Sequence, residues 1–330
     1  MKTISFNLNK TGYDTDIFYN YIKPILEEHH ISSFNLGCSF PENIDKEEYK
    51  ISFQQKLLEK ISKDFKIDKE KPECTVVIDF KKDLINFEIR SVFVYGVYNK
   101  FSRELPQTIH YCYNCYGKGC DFCKNTGRLE NTSVQEIISP HLEKEFGAEK
   151  SNFIGNGRED INVRMLGNGR EFLVELFDPM FRSLPEEKYK ILEKKINENK
   201  DVNVSFLKTA TENDVDSVKN SRRSKMYRAL IFSKEPLGDL NFLVKEYEIK
   251  QETPKRVSKR RANLVRERKA KVTSVEKKDD HFFYLEVIAD SGLYIKEFIS
   301  SDQERSKPSI SQLLNNACEC KELDVIKILR

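Results

Sequence analysis

No apolar run in this 330-residue chain approaches the roughly 20 residues that a helix needs to cross a bilayer. The opening Met1-Lys2-Thr3-Ile4-Ser5-Phe6 has no signal-peptide core, so a soluble, cytoplasmic protein with no membrane partner is expected. Net charge is equally scarce: 56 lysines and arginines stand against 53 acidic residues, which leaves +3. A nucleic-acid surface must therefore come from local clustering rather than overall basicity. Apart from two short cysteine half-modules there is no repeat, and no low-complexity tract occurs. A disulfide framework is also lacking. Four of the eight cysteines crowd into one segment, and Cys38, Cys74, Cys318 and Cys320 are scattered through a long chain, which suits a reducing compartment.

A chain of this length exceeds a typical single domain and can bury more than one core. Helical spacing over residues 15–30 puts Phe18, Ile22, Ile25 and Leu26 on one side, and residues 47–65 do the same with Phe53, Leu57, Leu58 and Ile61. Residues 75–80 and 84–94, rich in β-branched and aromatic side chains, read as strands around a Lys81-Lys82-Asp83 turn. Ser133 with Glu136 forms a capping box that opens a helix running to about Phe146, where Gly147 suits the stop. Beyond it, strand-like runs at 171–177, 202–207, 226–232, 263–275 and 281–289 are interspersed with helical patterns near 186–197 and 309–316. The expectation is an α+β protein. Residues 1–130 form an α+β module ending in a cysteine knuckle, 131–150 a connecting helix, and 151–330 a domain built on an antiparallel sheet.

The knuckle is Cys112-Tyr113-Asn114-Cys115-Tyr116-Gly117-Lys118-Gly119-Cys120-Asp121-Phe122-Cys123, two Cys-x-x-Cys pairs with four residues between them. Four soft thiolates at that spacing reach one tetrahedral Zn²⁺ and leave no open position, so the metal is structural. Its glycines permit the tight turns that aim backbone amides at the sulfurs. Tyr113, Tyr116, Phe122, Lys118 and Lys124 are interleaved with the ligands, which suits either a plain fold staple or an RNA contact by stacking and phosphate pairing.

Chemistry is suggested by Gly157-Arg158-Glu159-Asp160 and the run Arg164-Met165-Leu166-Gly167-Asn168-Gly169-Arg170. A carboxylate on a glycine-hinged loop, flanked by arginine forks and by turns where a backbone can approach phosphate, points to an anionic substrate such as RNA. From Pro254 to Lys271, nine lysines or arginines stand against the single Glu267, and the alternation predicts a strand edge with one basic face.

These residues, with Lys225-Met226-Tyr227-Arg228-Ala229-Leu230, Thr253-Pro254-Lys255-Arg256-Val257-Ser258-Lys259-Arg260-Arg261 and Gly292-Leu293-Tyr294-Ile295-Lys296-Glu297-Phe298, carry a family resemblance. So do Tyr98-Asn99-Lys100-Phe101-Ser102-Arg103-Glu104-Leu105-Pro106-Gln107-Thr108 and Lys307-Pro308-Ser309-Ile310-Ser311-Gln312-Leu313-Leu314. The chain resembles the archaeal and eukaryotic tRNA pseudouridine synthases that carry an N-terminal THUMP-type RNA-binding domain and modify the T loop. The resemblance implies isomerisation of uridine to pseudouridine at tRNA positions 54 and 55, with tRNA as partner, no organic cofactor and no obligate protein partner. It implies Asp160 as nucleophile, Lys296 as its cation, Tyr227 as the residue that stacks on the flipped base or takes its carbon-5 proton, and Tyr294 packed below. Arg158, Arg164, Arg256, Arg260 and Arg261 are the implied substrate contacts. The chain departs from the family at Asn162 for a second aspartate, Lys259 for histidine, Leu293 for threonine, and Ser301-Asp302-Gln303-Glu304-Arg305 for a glycine-rich turn. The competing expectation is a non-catalytic zinc-knuckle protein, RNA-binding or chaperone-like.

Overall fold

The computed structural model describes residues 2–41, 47–258 and 262–329. Two sheets organise them. The first contains β1 (Lys2–Ser5), β2 (Ser33–Ser39), β3 (Lys66–Ile67), β4 (Cys74–Asp79) and β5 (Leu84–Ile89), in the order β1-β5-β4-β2-β3. The helices Thr15–Glu28 and Glu47–Ile61 cover it, as their spacing predicts. Phe18, Ile22, Leu26, Phe53, Leu57 and Ile61 are buried together with Val76, Ile78, Ile85 and Phe87 of the strands. Each such side chain contributes about 1.5–3 kcal/mol on burial, so this small layer has a core of its own.

The second sheet takes β6 (Val92–Lys100), β7 (Lys150–Gly155), β8 (Val163–Phe177), β9 (Val202–Thr209), β10 (Lys225–Ser233), β11 (Glu246–Glu252), β12 (Val265–Lys277), β13 (Phe282–Ala289), β14 (Ser306–Lys307) and β15 (Cys318–Ile328). Their order is β14-β11-β12-β13-β10-β15-β8-β6-β9, with β7 beside β8. All pairs are antiparallel except one. β15 runs parallel to β8, with Leu323, Asp324 and Val325 opposite Val163, Arg164 and Met165, and this seam joins the two halves of the sheet.

Three sequence expectations change here. The apolar stretch at 84–94 is two strands: β5 ends at Ile89 and β6 starts at Val92 in the other sheet, so the expected module 1–130 spans both sheets. Both runs are β-rich, and strand propensity does not encode which sheet a strand joins. The basic stretch is not an edge, because β12 lies between β11 and β13. Charges along it are opposed across the ladder, Lys271 by Glu246, Lys269 by Glu248, and Glu267 by Lys250. The glycine-punctuated run is continuous strand within β8. Gly167 and Gly169 have φ of 60° and 68°, and an added Cβ would stand 1.9 Å from the Ile326 carbonyl oxygen and 2.5 Å from Val97 Cγ1. These glycines let neighbouring strands close on β8.

The N-cap half of the capping box forms: the Ser133 side chain accepts from the Glu136 amide, while the Glu136 carboxylate accepts from the Ser133 hydroxyl at 2.8 Å, and Gly147 closes the helix Val134–Phe146 in the left-handed conformation. That helix packs Val134, Ile138, Leu142 and Phe146 into the core of the second sheet.

Candidate active site

Where the β8–β15 seam meets the turn into the helix Ile295–Ser300, a cavity of about 370 Å³ opens. Asp160, Tyr227, Tyr294, Lys296, Arg158 and Arg256 all line it. Asp160 stands just before β8, Tyr227 on β10 and Lys296 in the first turn of that helix, so parallel pairing at the seam and the β10–β15 ladder unite distant segments.

The Asp160 carboxylate is held by two cations. Lys296 Nζ lies 3.0 Å from Oδ2, and the Arg256 guanidinium reaches Oδ1 and Oδ2 at 3.2 Å each. Burial alone would raise its pKa, but Arg256 and Lys296 outweigh that and hold the carboxyl below the usual carboxylate range. It is ionised at neutral pH. Asn162 Oδ1 accepts from Lys296 at 2.7 Å, so an uncharged amide stands where the resembling family has a second aspartate. The charge of Lys296 is thereby left to Asp160.

The Tyr227 hydroxyl makes no hydrogen bond among the described residues, and burial pushes its phenol up to about 12. It offers the pocket a neutral ring, and a phenol of that pKa is a poor proton acceptor. Tyr294 is fixed by its backbone: its amide donates to Gln251 Oε1 at 2.8 Å and its carbonyl accepts from Gln251 Nε2 at 3.0 Å. Arg256 lies 5.8 Å from the centroid of the Tyr294 ring.

The arginines divide. Arg158 is exposed at the mouth, as a substrate contact requires. Arg164 is already engaged: it forks onto Asp324 with Nε at 2.9 Å and Nη2 at 2.6 Å, and Arg103 shares that carboxylate at 2.8 Å. Arg164 is therefore a staple of the seam, since register sets Asp324 opposite it. Arg256 faces Asp160. Arg260 and Arg261, with Lys259, lie outside the described residues.

Behind Asp160 lies a buried network that sequence reasoning missed. Arg170 Nε stands 2.8 Å from Glu159 Oε2, both side chains being 2% exposed or less. Glu159 also accepts from the Tyr98 hydroxyl at 2.9 and 3.0 Å, and Gln107 donates to that hydroxyl at 2.8 Å and to the Gly157 carbonyl at 3.0 Å. Lys100, fully buried, donates to the carbonyls of Leu105 and Ile161 at 2.7 Å and of Asp160 at 3.3 Å. Burial lowers its ammonium to about 8, so at neutral pH it still carries the three protons those carbonyls accept. The only signal in the sequence was a lysine, a glutamine and an arginine set into otherwise apolar strand and turn.

Remote from this pocket, Cys112, Cys115, Cys120 and Cys123 bring all four sulfurs within 4.8 Å of one another, an arrangement that could hold a metal ion. Three of the separations are 3.7–3.8 Å, close to the edge of a tetrahedron with metal–sulfur bonds of about 2.3 Å. Amides of Gly119, Cys120 and Gly127 donate to the sulfurs at 3.2 Å, as the glycine spacing predicts. Arg128 of the same loop pairs with Glu136 of the following helix, which ties the knuckle to the second sheet's core. No described helix is long and apolar enough to cross a membrane.

The profile of the family described as "Pus10, C-terminal" matches residues 93–329. A tRNA pseudouridine synthase Pus10 of Methanocaldococcus jannaschii is 39% identical over 323 residues, covering 92% of this chain and 70% of that protein. The protein of that name in Methanopyrus kandleri is 34% identical over 342 residues, with 95% and 78% covered. The one in Methanococcus voltae is 34% identical over 330 residues, and this chain spans 63% of its length. Among solved structures, a Cbf5–Nop10–Gar1 complex matches 72% of this chain and 48% of its own at a TM-score of 0.34 and 16% identity, which adds nothing to the fold described above.

Proposed function

Because the chain belongs to the Pus10 family of tRNA pseudouridine synthases, which are isomerases, we propose that it converts uridine to pseudouridine in the tRNA T loop, at positions 54 and 55, with Asp160 as nucleophile. The observation that supports this best is an ionised carboxylate gripped by two cations beside two tyrosine rings, in a cavity whose size suits one flipped base. The reaction breaks the bond from the sugar to N1, turns the base and rejoins it through carbon 5. The carbon-5 proton is lost and N1 gains one, so no cofactor or energy source is consumed.

In this reading Lys296 and Arg256 keep Asp160 charged, Tyr227 receives the base on its ring and Tyr294 supports it from below. Arg158 meets a neighbouring phosphate. The four cysteines bind a structural Zn²⁺, and the first sheet with its helices serves as a THUMP-type tRNA-binding unit. Eight free cysteines suit a reducing, cytoplasmic setting. Family membership removes the non-catalytic zinc-knuckle alternative.

The test is to incubate the protein with an unmodified tRNA transcript and map pseudouridine by carbodiimide-blocked primer extension, beside Asp160→Asn. A T-loop stop with the wild type alone supports the proposal. Turnover by Asp160→Asn removes Asp160 from its role, and stops elsewhere in the tRNA remove the T loop.

A further inference from the structure

Arg256 sits in the stretch where basic residues are expected to meet phosphate, yet it is held from three sides. Its Nε donates to Glu297 Oε1 at 2.6 Å, its Nη atoms reach both oxygens of Asp160 at 3.2 Å, and it lies over the Tyr294 ring. Glu297 is buried and so anchors one side of an otherwise part-exposed guanidinium.

The backbone that carries Arg256 is laced to a turn of unusual geometry. Ser301, Asp302, Gln303 and Glu304 all have left-handed φ, at 74°, 48°, 58° and 67°, and none is glycine. Such a run is costly for L-residues and persists only where the surroundings impose it. Three ties do so: Asp302 Oδ2 accepts from the Lys255 amide at 3.0 Å, Gln303 Oε1 from Lys255 Nζ at 3.3 Å, and the Arg305 carbonyl from the Glu252 amide at 2.8 Å. Arg305 also pairs with Glu252 at 3.0 Å. The turn grips residues 252–255, which leads directly into Arg256.

We infer that Arg256 is a positioning residue for Asp160 rather than a phosphate contact, and that the left-handed turn, through Asp302, holds Arg256 in that place. The inference rests on the reading of Asp160 as nucleophile. Lys296 fixes one carboxylate oxygen; Arg256 spans both and sets the rotation of the group, which decides where its lone pairs point.

The experiment measures kcat, KM and their pH profiles on tRNA for Arg256→Gln, Arg256→Lys and Asp302→Gly, with thermal melts and Asp160→Asn in parallel. Glycine accepts the φ of 48° at position 302 and removes only the carboxylate, so that variant keeps the backbone. The groups facing Asp160 are Arg256, Lys296, Tyr227, the Lys100 ammonium at its carbonyl, and the Glu159–Arg170 pair behind; Arg158 and Arg266 line the mouth, and Glu297 stands beyond Arg256. Loss of Arg256 should lower kcat roughly tenfold to a hundredfold with KM little changed, and move the acid limb of kcat to higher pH. Arg256→Lys should recover part of both, and Asp302→Gly should show a smaller loss with the same direction of pH shift and an unchanged melt. A raised KM with unmoved kcat and acid limb, together with a salt slope reduced by about 0.9, would make Arg256 a phosphate contact and overturn the inference. Wild-type kcat in Asp302→Gly would overturn the role of the turn. Turnover by Asp160→Asn would instead strike the underlying reading.

Discussion

Glu159 and Asp160 are neighbours in the chain and opposites in circumstance. The Glu159 and Arg170 side chains are 1% and 2% exposed, whereas Asp160 is 39% exposed and its partners Lys296 and Arg256 are 23% and 41% exposed. Both carboxylates are paired with cations at about the same distance. The difference is exposure: Glu159 and Arg170 also line the cavity but are closed off from solvent, with Tyr98 against Glu159, whereas Asp160 stands half open in it. A buried pair is a structural commitment, because losing one partner strands the other in a medium that cannot solvate it. A half-exposed pair can exchange partners with a substrate.

Asp160→Asn should reduce turnover by at least about a thousandfold while the melting temperature and tRNA affinity stay near wild type; primer extension, melts and filter binding read these together, and a large fall in affinity would mean that Asp160 serves binding. Arg170→Met should act the other way, costing about 3–5 kcal/mol by leaving Glu159 buried and unpaired. Denaturant unfolding checks it, and a variant of ordinary stability would show that Glu159 takes up a proton at little cost.

Lys296→Met sharpens the open side. Asp160 has a folded pKa below its unfolded value, so the stabilisation it draws from its cations is present above the ordinary pKa of 3.8 and is lost as pH falls through the folded value. Removing Lys296 should raise that value, shift the acid limb of kcat upward and lower kcat roughly tenfold. An unmoved acid limb would leave Arg256 as the group that sets the ionisation. Gly167→Ala is expected to cost about 1–3 kcal/mol, since its Cβ would meet the Ile326 carbonyl at 1.9 Å; a wild-type melt would contradict the close seam. The smallest effect belongs to Lys269→Ala, whose pair with Glu248 is solvated on both sides, with a change in melting temperature of about a degree at most.

Much of the framework was legible. Ser133, Glu136 and Gly147 act over one helical turn or less, so the ends of their helix follow from local chemistry. The cysteine knuckle is equally local, since twelve consecutive residues supply all four sulfurs. Asp160, Tyr227, Tyr294 and Lys296 came from motif likeness, and the pocket gathers them. Arg164 and Arg256 were read as free because a sequence shows a charge without its counter-charge; Asp324 and Asp160 are 160 and 96 residues away. Lys100 and Arg170 stood in the motifs, but their buried partners were invisible for the same reason, as a charged residue in a strand reads as solvated until its far side is known.

The sequence by itself determined the limits of the helix Val134–Phe146, the alternating strands and the metal-type knuckle, because each depends on residues close in the chain, and motif likeness singled out Asp160 as the candidate carboxylate. Only the tertiary structure decided which sheet β6 joins, that β12 is interior, and which carboxylates are locked and which are open. Those outcomes depend on burial and on partners brought together by strand pairing, and neither is encoded in any local stretch of the chain.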